Sequence, residues 1–402
     1  MLVVQKYGGT SVGGLDRIES VANRVINAKN ENKDLVIVVS AMSGETNKLV
    51  SYSDNFTTNP SKREYDMLVS SGEQVTASLL AIALKSKGYD AIAMTGREAG
   101  ILTDNNHTYA RIESIDTTNI KNEIKKNKIV IVAGFQGANA NGDITTLGRG
   151  GSDLSAVAIA GALNADICEI YSDVDGIYTT DPRIEPHAKK LDTISYDEML
   201  ELSSLGAKVL QNRSVELAKK LGVKLYAKSS FSNDKGTLIQ EEDKNMEAVV
   251  VSGVVLDKNQ ARVTLRGVSD RPGIAAEIFT SLADNGIVVD MIIQNVGTTD
   301  GLTNLGFTVP QDDFQKAKEL MEHFDHDIHA IDFDFDVCKV SIVGVGMRSH
   351  SGVAATAFTQ MAKDNINIQM ISTSEIKISM IINDKYGELA IRELHKIYNL
   401  DK

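Results

Sequence analysis

The chain has 402 residues, enough for two or three domains at about 100 to 200 residues each, and its 42 Lys and Arg stand against 54 Asp and Glu for a formal net charge of −12. That balance leaves no basic surplus to neutralise phosphates and argues against a nucleic-acid partner, while 42% hydrophobic and 24% charged residues exclude disorder as the main state. Cys168 and Cys338 are too few for a disulfide framework, MLVVQKYGG is no signal peptide and no apolar run approaches the roughly 18 residues of a membrane span, so a cytoplasmic protein with no membrane partner is expected.

Up to about residue 230, short β-rich runs alternate with helical stretches. Candidate strands are Leu2 to Tyr7, Leu35 to Ser40, Ala91 to Met94, Ile129 to Phe135, Ile167 to Ser172 and Val223 to Ala227. They are nearly continuous apolar runs, the pattern of strands covered on both faces in a largely parallel sheet. Between them Ile18, Val21, Ala22, Val25 and Ile26 recur at helical spacing, as do Leu79, Leu80, Ala83 and Leu84. The alternation predicts an α/β sandwich.

The polar segment Gln240 to Glu247 interrupts this pattern and marks a boundary. Beyond it the chain repeats itself: the stretch from Val263 aligns with the stretch from Val340 after a two-residue insertion in the second copy. Gly273 falls on Gly352, Phe279 on Phe358, and Asp290-Met291-Ile292 on Gln369-Met370-Ile371. Each copy reads as a strand, a helix entered at a glycine and a second strand, a βαβ unit in tandem. Met291 and Met370 read as core fillers. His323, His326 and His329 read as a solvated surface, because i and i+6 do not share a helix face.

Glycines cluster where strands end: KYGGTSVGG (6–14), AGFQG (133–137) and TTLGRGGSD (145–153). Glycine there lets backbone N–H groups turn towards an anion with no Cβ in the way. Ser152 or Asp153 is placed to cap the Ala-rich helix that follows, whose N-terminus adds a positive dipole end. Neither GxxxxGK[ST] nor GxGxxG occurs, so a nucleotide would be held another way.

KYGGTSV (6–12), VVSAMSGETN (38–47), SSGEQ (70–74), AGFQG, TTLGRGGSDLSA (145–156), YSDVDGIYTTDPR (171–183) and GAKVL (206–210) resemble, in order and spacing, the motif series of aspartate kinases, members of the amino-acid kinase superfamily. The C-terminal repeat resembles the paired ACT domains of the same enzymes. The resemblance implies an amino-acid-kinase-like α/β sandwich with a largely parallel central sheet over 1–240, followed by two ferredoxin-like (βαββαβ) ACT domains over 248–335 and 336–402. It also implies the reaction, in which MgATP phosphorylates the side-chain carboxylate of L-aspartate to give 4-phosphoaspartate, the first step towards lysine, threonine and methionine. A carboxylate is already ionised at pH 7 and needs no general base, so the chemistry reduces to positioning and charge neutralisation.

By the same resemblance Lys6 lies on the ATP phosphates beside Tyr7, Gly8 and Gly9, and Lys208 is a second phosphate ligand. Glu73 takes the substrate ammonium, Arg149 forks onto the α-carboxylate, and Asp153 orients the substrate, completing the catalytic pair with Lys6. Ser40, Thr46, Gly150, Gly151 and Ser152 add substrate contacts. Ser172 and Asp173 are assigned to the ribose and phosphates, Tyr178 to the base, and Asp181 and Arg183 to the phosphate tail. Mg²⁺ is expected mainly on phosphate oxygens and water, with no dedicated protein metal site.

Feedback inhibition by lysine and threonine is expected through the first repeat. There Arg271-Pro272-Gly273 opens a helix with the proline in its first turn, and Gly273, Ile274 and Ala275 offer N–H groups to an α-carboxylate. Asp270 would pair with the ammonium, and Gln294 and Asn295 would add hydrogen bonds. The second copy has no acid matching Asp270 and is expected to shape an interface through Asn367, Ile368, Ser372 and Thr373, in a homodimer or higher homo-oligomer. Two other readings are another superfamily kinase, against which the repeat and the Glu73–Arg149 pair argue, and a non-catalytic amino-acid sensor, against which the full set of charged motif residues argues.

Overall fold

Two compact units make up the chain, one of residues 1–177, 190–204 and 209–242, the other of 178–189 and 250–402. The structure, a computed structural model, describes residues 1–204, 209–242, 250–295, 301–324, 328–348, 350 and 352–402.

The first unit begins β1 (Leu2–Tyr7), α1 (Leu15–Asn30), β2 (Asp34–Val39), α2 (Glu45–Asp54), α3 (Lys62–Val69), α4 (Ser71–Ser86), β3 (Ala91–Met94), β4 (Ile101–Thr103), β5 (Ile112–Ile115) and α5 (Thr118–Lys125). It continues β6 (Ile129–Ala133), β7 (Gln136–Ala138), β8 (Ile144–Thr146), α6 (Gly151–Leu163), β9 (Ile167–Ser172), β10 (Thr193–Ser195), α7 (Tyr196–Ser204), α8 (Asn212–Leu221), β11 (Leu225–Ser229) and β12 (Thr237–Gln240). Eight strands form one sheet in the order β10-β12-β11-β9-β1-β2-β6-β3, parallel except between β11 and β12. All six expected strands lie in it. β6 stops at Ala133, short of the expected end, because Phe135 takes φ 67 and turns the chain out of the sheet. A second sheet, β5-β4-β7-β8, was not foreseen, since strands of three or four residues carry too little periodicity to read.

On one face of the large sheet α1 buries Ile18, Val21, Ala22 and Val25, the i, i+3, i+4, i+7 stripe, against Ala77, Leu80 and Leu84 of α4 and Leu35 and Ile37 of β2. Each large aliphatic side chain so buried contributes about 1.5 to 3 kcal/mol. The alternate positions turn Lys6 and Val38 the other way, under α6, whose small apolar residues are buried on nearly every side. One stretch among the described residues, Lys62–Ser86, is long and apolar enough to cross a membrane, and half of it is buried in the fold as core helices are.

The second unit holds β13 (Gly253–Ser269), α9 (Ile274–Asp284), β14 (Ile292–Gln294), β15 (Leu302–Val309), α10 (Phe314–Met321), β16 (Ala330–Val343), α11 (Val353–Lys363), β17 (Ile368–Thr373), β18 (Lys377–Asn383) and α12 (Gly387–Ile397). Its antiparallel sheet runs β14-β15-β13-β16-β18-β17. The two copies agree down to the backbone: Gly273 and Gly352 N-cap α9 and α11 at φ 100 and 101. Two cores form, one around Val263, Ile278, Phe307 and Ala317, the other around Val254, Val340, Ala357 and Ile391. Val254 therefore packs with the second module, and the division expected at 335/336 falls inside the long strand β16, which serves both. The repeat shows in sequence as βαβ, whereas the strand closing the second module, the start of β13, precedes the first module and pairs with residues 340–343 from outside the repeated stretch. Met291 and Met370 meet in a buried cluster with Val337 and Ile381, the core-filling role expected of them. His323 and His329 are exposed, and His326 lies outside the described residues.

Segment 178–189 belongs to this unit. Ile184 packs on the second core, Val254 N–H donates to the Thr179 carbonyl at 2.8 Å, and the Thr179 hydroxyl meets His395 Nε2 at 3.0 Å.

Candidate active site

Lys6 is the penultimate residue of β1, and its Nζ stands 2.6 Å from Asp153 Oδ1, the two side chains only 11% and 10% exposed. The N-cap of α6 is Gly150, at φ 69, so neither Ser152 nor Asp153 is the cap expected from sequence. Asp153 sits in the first helical turn, and its carboxylate neutralises Lys6 instead. The loop before it needs its glycines. A Cβ on Gly150 would stand 1.9 Å from the Gln211 side chain, and one on Gly148, at φ 78, 2.6 Å from the Tyr109 ring.

Lys6 and Asp153 line a cavity of about 720 Å³ with Ser40, Thr46, Glu73, Arg149, Gly150, Gly151 and Ser152, so every substrate and catalytic residue expected from the sequence borders one space. Glu73, in the first turn of α4, is 4% exposed. Its Oε1 accepts the Ala41 N–H at 3.0 Å and its Oε2 is buried with no partner among the described residues. Burial raises this carboxyl to about 7, against the opposing pull of the Ala41 N–H. Arg149 is exposed and makes no ion pair or side-chain hydrogen bond among the described residues.

The nucleotide residues are placed differently. Gly9 lines the cavity, but the Gly8 N–H donates to the Tyr171 carbonyl at 3.1 Å and is not free for phosphate as expected. The Tyr7 ring is fully buried, stacked on Tyr171 at 4.8 Å, with its hydroxyl on Gln5 Oε1, and its carbonyl accepts the Ser40 N–H at 3.1 Å, so Tyr7 is not placed to contact phosphate as expected. Ser172 ends β9 and Asp173 follows it, both outside the cavity lining. Tyr178, Asp181 and Arg183 fall in the segment of the second unit, where Asp181 accepts Arg183 Nη2 at 2.7 Å. Lys208 lies outside the described residues.

Sequence reading missed Thr108 and Thr146, which also line the cavity, and Asp66, fully buried behind them. Thr146 lies inside the TTLGRGGSDLSA run, whereas Asp66 is one of four charged residues in the helix KREYDMLV and nothing in the local pattern sets it apart.

In the second unit Pro272 precedes the Gly273 N-cap rather than entering the first turn of α9, because the left-handed glycine makes the entry. Arg271 forks onto Glu277 at 2.8 and 2.7 Å. The Ile274 side chain is buried in the first core, and its N–H is 3.4 Å from the Arg271 carbonyl, while Ala275 follows in the same turn. Asp270 is exposed, and Gln294 and Asn295 are exposed at the end of edge strand β14. Asn367, Ile368, Ser372 and Thr373 lie on or beside the opposite edge strand, β17.

Comparison with known proteins agrees with the fold. The Amino acid kinase family model matches residues 1–229, and an ACT domain model matches 263–324 and 340–398. The chain is 58% identical over 406 residues to the aspartokinase of Helicobacter pylori (strain J99 / ATCC 700824), covering 100% of each. The structure of E. coli aspartokinase III in complex with aspartate and ADP (R-state) is 25% identical, covering 98% of this chain and 99% of that one at a TM-score of 0.78. The same enzyme in complex with lysine and aspartate (T-state) is 25% identical over 99% of each chain at 0.81. A fold of kinase sandwich followed by two ACT modules, with Lys6, Glu73, Arg149 and Asp153 gathered round one cavity, and full-length identity of this order together place the chain in the aspartokinase family.

Proposed function

We propose that the enzyme transfers the γ-phosphoryl group of ATP to the side-chain carboxylate of L-aspartate, giving 4-phospho-L-aspartate and ADP, and that lysine and threonine inhibit it through the ACT modules. The observation that carries the substrate is Glu73. A buried carboxylate with one oxygen unpartnered is costly, and a substrate ammonium would both satisfy that oxygen and hold the group ionised. Arg149, free in the same cavity, supplies a fork for the α-carboxylate. The remaining carboxylate is then the nucleophile. Its oxygen bonds to phosphorus as the bond to ADP breaks, and no proton moves. Lys6 and the N-terminus of α6 offset the charge on the transferring group.

Asp153 is an oxygen donor of the kind Mg²⁺ takes, but Lys6 already neutralises it, which fits a metal carried chiefly by ATP phosphates. Bound there, Mg²⁺ would withdraw charge from those phosphates. The E. coli complexes, which hold aspartate with ADP and aspartate with lysine, support the same ligand classes here.

Incubation with L-aspartate, MgATP and hydroxylamine should yield aspartyl hydroxamate. Turnover of a different carboxylate, with none from aspartate, would overturn the reading. Titration with lysine and threonine, singly and together, tests the regulatory half. Ile292 and Ile371, at matching repeat positions on the two edge strands, are 52% and 40% exposed, which supports a homodimer or higher homo-oligomer. A monomer by light scattering at micromolar concentration would contradict it.

A further inference from the structure

Between β4 and β5 the residues His107 to Ala110 grip the strand and loop that carry Arg149. Thr108 takes φ 72, a conformation a β-branched residue adopts only when its surroundings impose it. Asp66 imposes it. This fully buried carboxylate accepts the Thr108 N–H on both oxygens, at 3.1 and 3.0 Å, along with the Thr146 hydroxyl at 2.5 Å and His107 Nδ1 at 2.8 Å. Ala110 N–H donates to the Thr146 carbonyl at 2.9 Å. Arg213 of α8 bolts the clasp from another side. Its guanidinium donates to the Leu147 carbonyl at 2.6 Å and to the Ala110 carbonyl at 3.2 Å, and lies 4.5 Å over the Tyr109 ring. That ring in turn stands against Gly148, where no Cβ fits. The main chain from Thr146 to Gly148 is thus tied twice, and the next residue is Arg149.

We infer that Asp66 and Arg213 are positioning residues for the substrate clamp, acting through the His107–Ala110 clasp to fix the Arg149 loop and so to set the affinity for aspartate. The inference rests on the reading of Arg149 as the group that holds the α-carboxylate. Arg213 does not line the substrate cavity. It borders a separate groove between α6 and α8, so it acts through the backbone it holds, and a small cation added to solution can reach its place. Bridging two carbonyls while stacking on a ring needs the planar fork, which lysine lacks.

The test compares Arg213→Ala, Arg213→Lys and Arg149→Lys in steady-state kinetics, with aspartate and ATP varied separately and with millimolar guanidinium added to each. Arg213→Ala should raise the aspartate KM about tenfold or more while the ATP KM stays within about twofold, guanidinium should restore part of the loss, and Arg213→Lys should recover little. If Arg149→Lys raises the aspartate KM but Arg213→Ala does not, or raises both KM values alike without rescue, the positioning role is overturned. If Arg149→Lys itself leaves the aspartate KM unchanged, the clamp reading fails first and this inference with it. Should Arg213→Ala fail to fold, Asp66→Asn, which keeps the shape and removes the charge, must show the same split between the two KM values or the proposal falls.

Discussion

The cavity of the first unit and the sheet edges of the second treat polar groups in opposite ways. In the cavity Lys6, Glu73 and Asp153 are all buried, and the glycine loop around them leaves no room for a Cβ at Gly148 or Gly150. Along β14 and β17 the side chains expected to meet effectors or a partner are mostly exposed, as are Ile292 and Ile371 between them. Burial strengthens each charge and makes each missing partner expensive, so the cavity is preorganised for one set of ligand charges. An exposed edge carries no such cost until something covers it, which suits a surface whose occupancy is meant to vary.

If that contrast holds, mutations in the cavity should cost turnover or substrate affinity, and mutations at the edges, or at exposed Asp270 just after β13, should cost regulation alone. The largest effect is expected at Lys6. Lys6→Ala removes the group proposed to hold the phosphates and leaves Asp153 unpaired, and kcat should fall about 10² to 10³-fold. A folded variant keeping more than a third of wild-type turnover would break the comparison at its centre. Next comes Asp270→Ala, which should raise the effector concentration for half-inhibition by roughly 5- to 150-fold while leaving kcat unchanged. Inhibition at the wild-type concentration would place the effector elsewhere.

Glu73 gives a smaller, pH-dependent effect. With its carboxyl raised to about 7, the ionised form that an ammonium needs declines below that pH, and kcat/KM for aspartate should drop about tenfold per unit there. Glu73→Gln should be low and flat over the same range, and an unchanged acid limb in this variant would assign the titration to another group. The stability consequence has the opposite sign. Because the folded carboxyl titrates above its ordinary value of 4.5, stability is greatest below that value and is lost as pH rises from there to about 7, by on the order of 3 kcal/mol. Glu73→Gln should therefore melt higher than wild type at pH 8, and an equal or lower melting temperature would contradict the cost assigned to that buried charge.

Wherever a segment is defined by its own neighbours, the amino-acid sequence by itself determined the outcome. The six apolar runs became strands because both faces are covered, the α1 stripe at Ile18, Val21, Ala22 and Val25 became a buried helix face, and Gly273 and Gly352 enter their helices alike. The charged residues that border the cavity, Lys6, Glu73, Arg149 and Asp153, were legible for the same reason, each set in a short motif at a strand or helix end. Tertiary structure decided the rest, through partners that no local pattern names. The Asp153 carboxylate turns from its own helix to Lys6 on another strand, and the Gly8 N–H is taken by the carbonyl of Tyr171 on β9. Residues 178–189 leave a run of kinase motifs to join the second unit, and Val254 closes a module whose other strands come some 80 residues later. Asp66 holds together Thr108 and Thr146, which are far apart in the chain. Burial of an apolar stripe is a property of spacing along one segment, but a buried polar group must be paired, and its partner is whichever segment the fold brings within 3 Å.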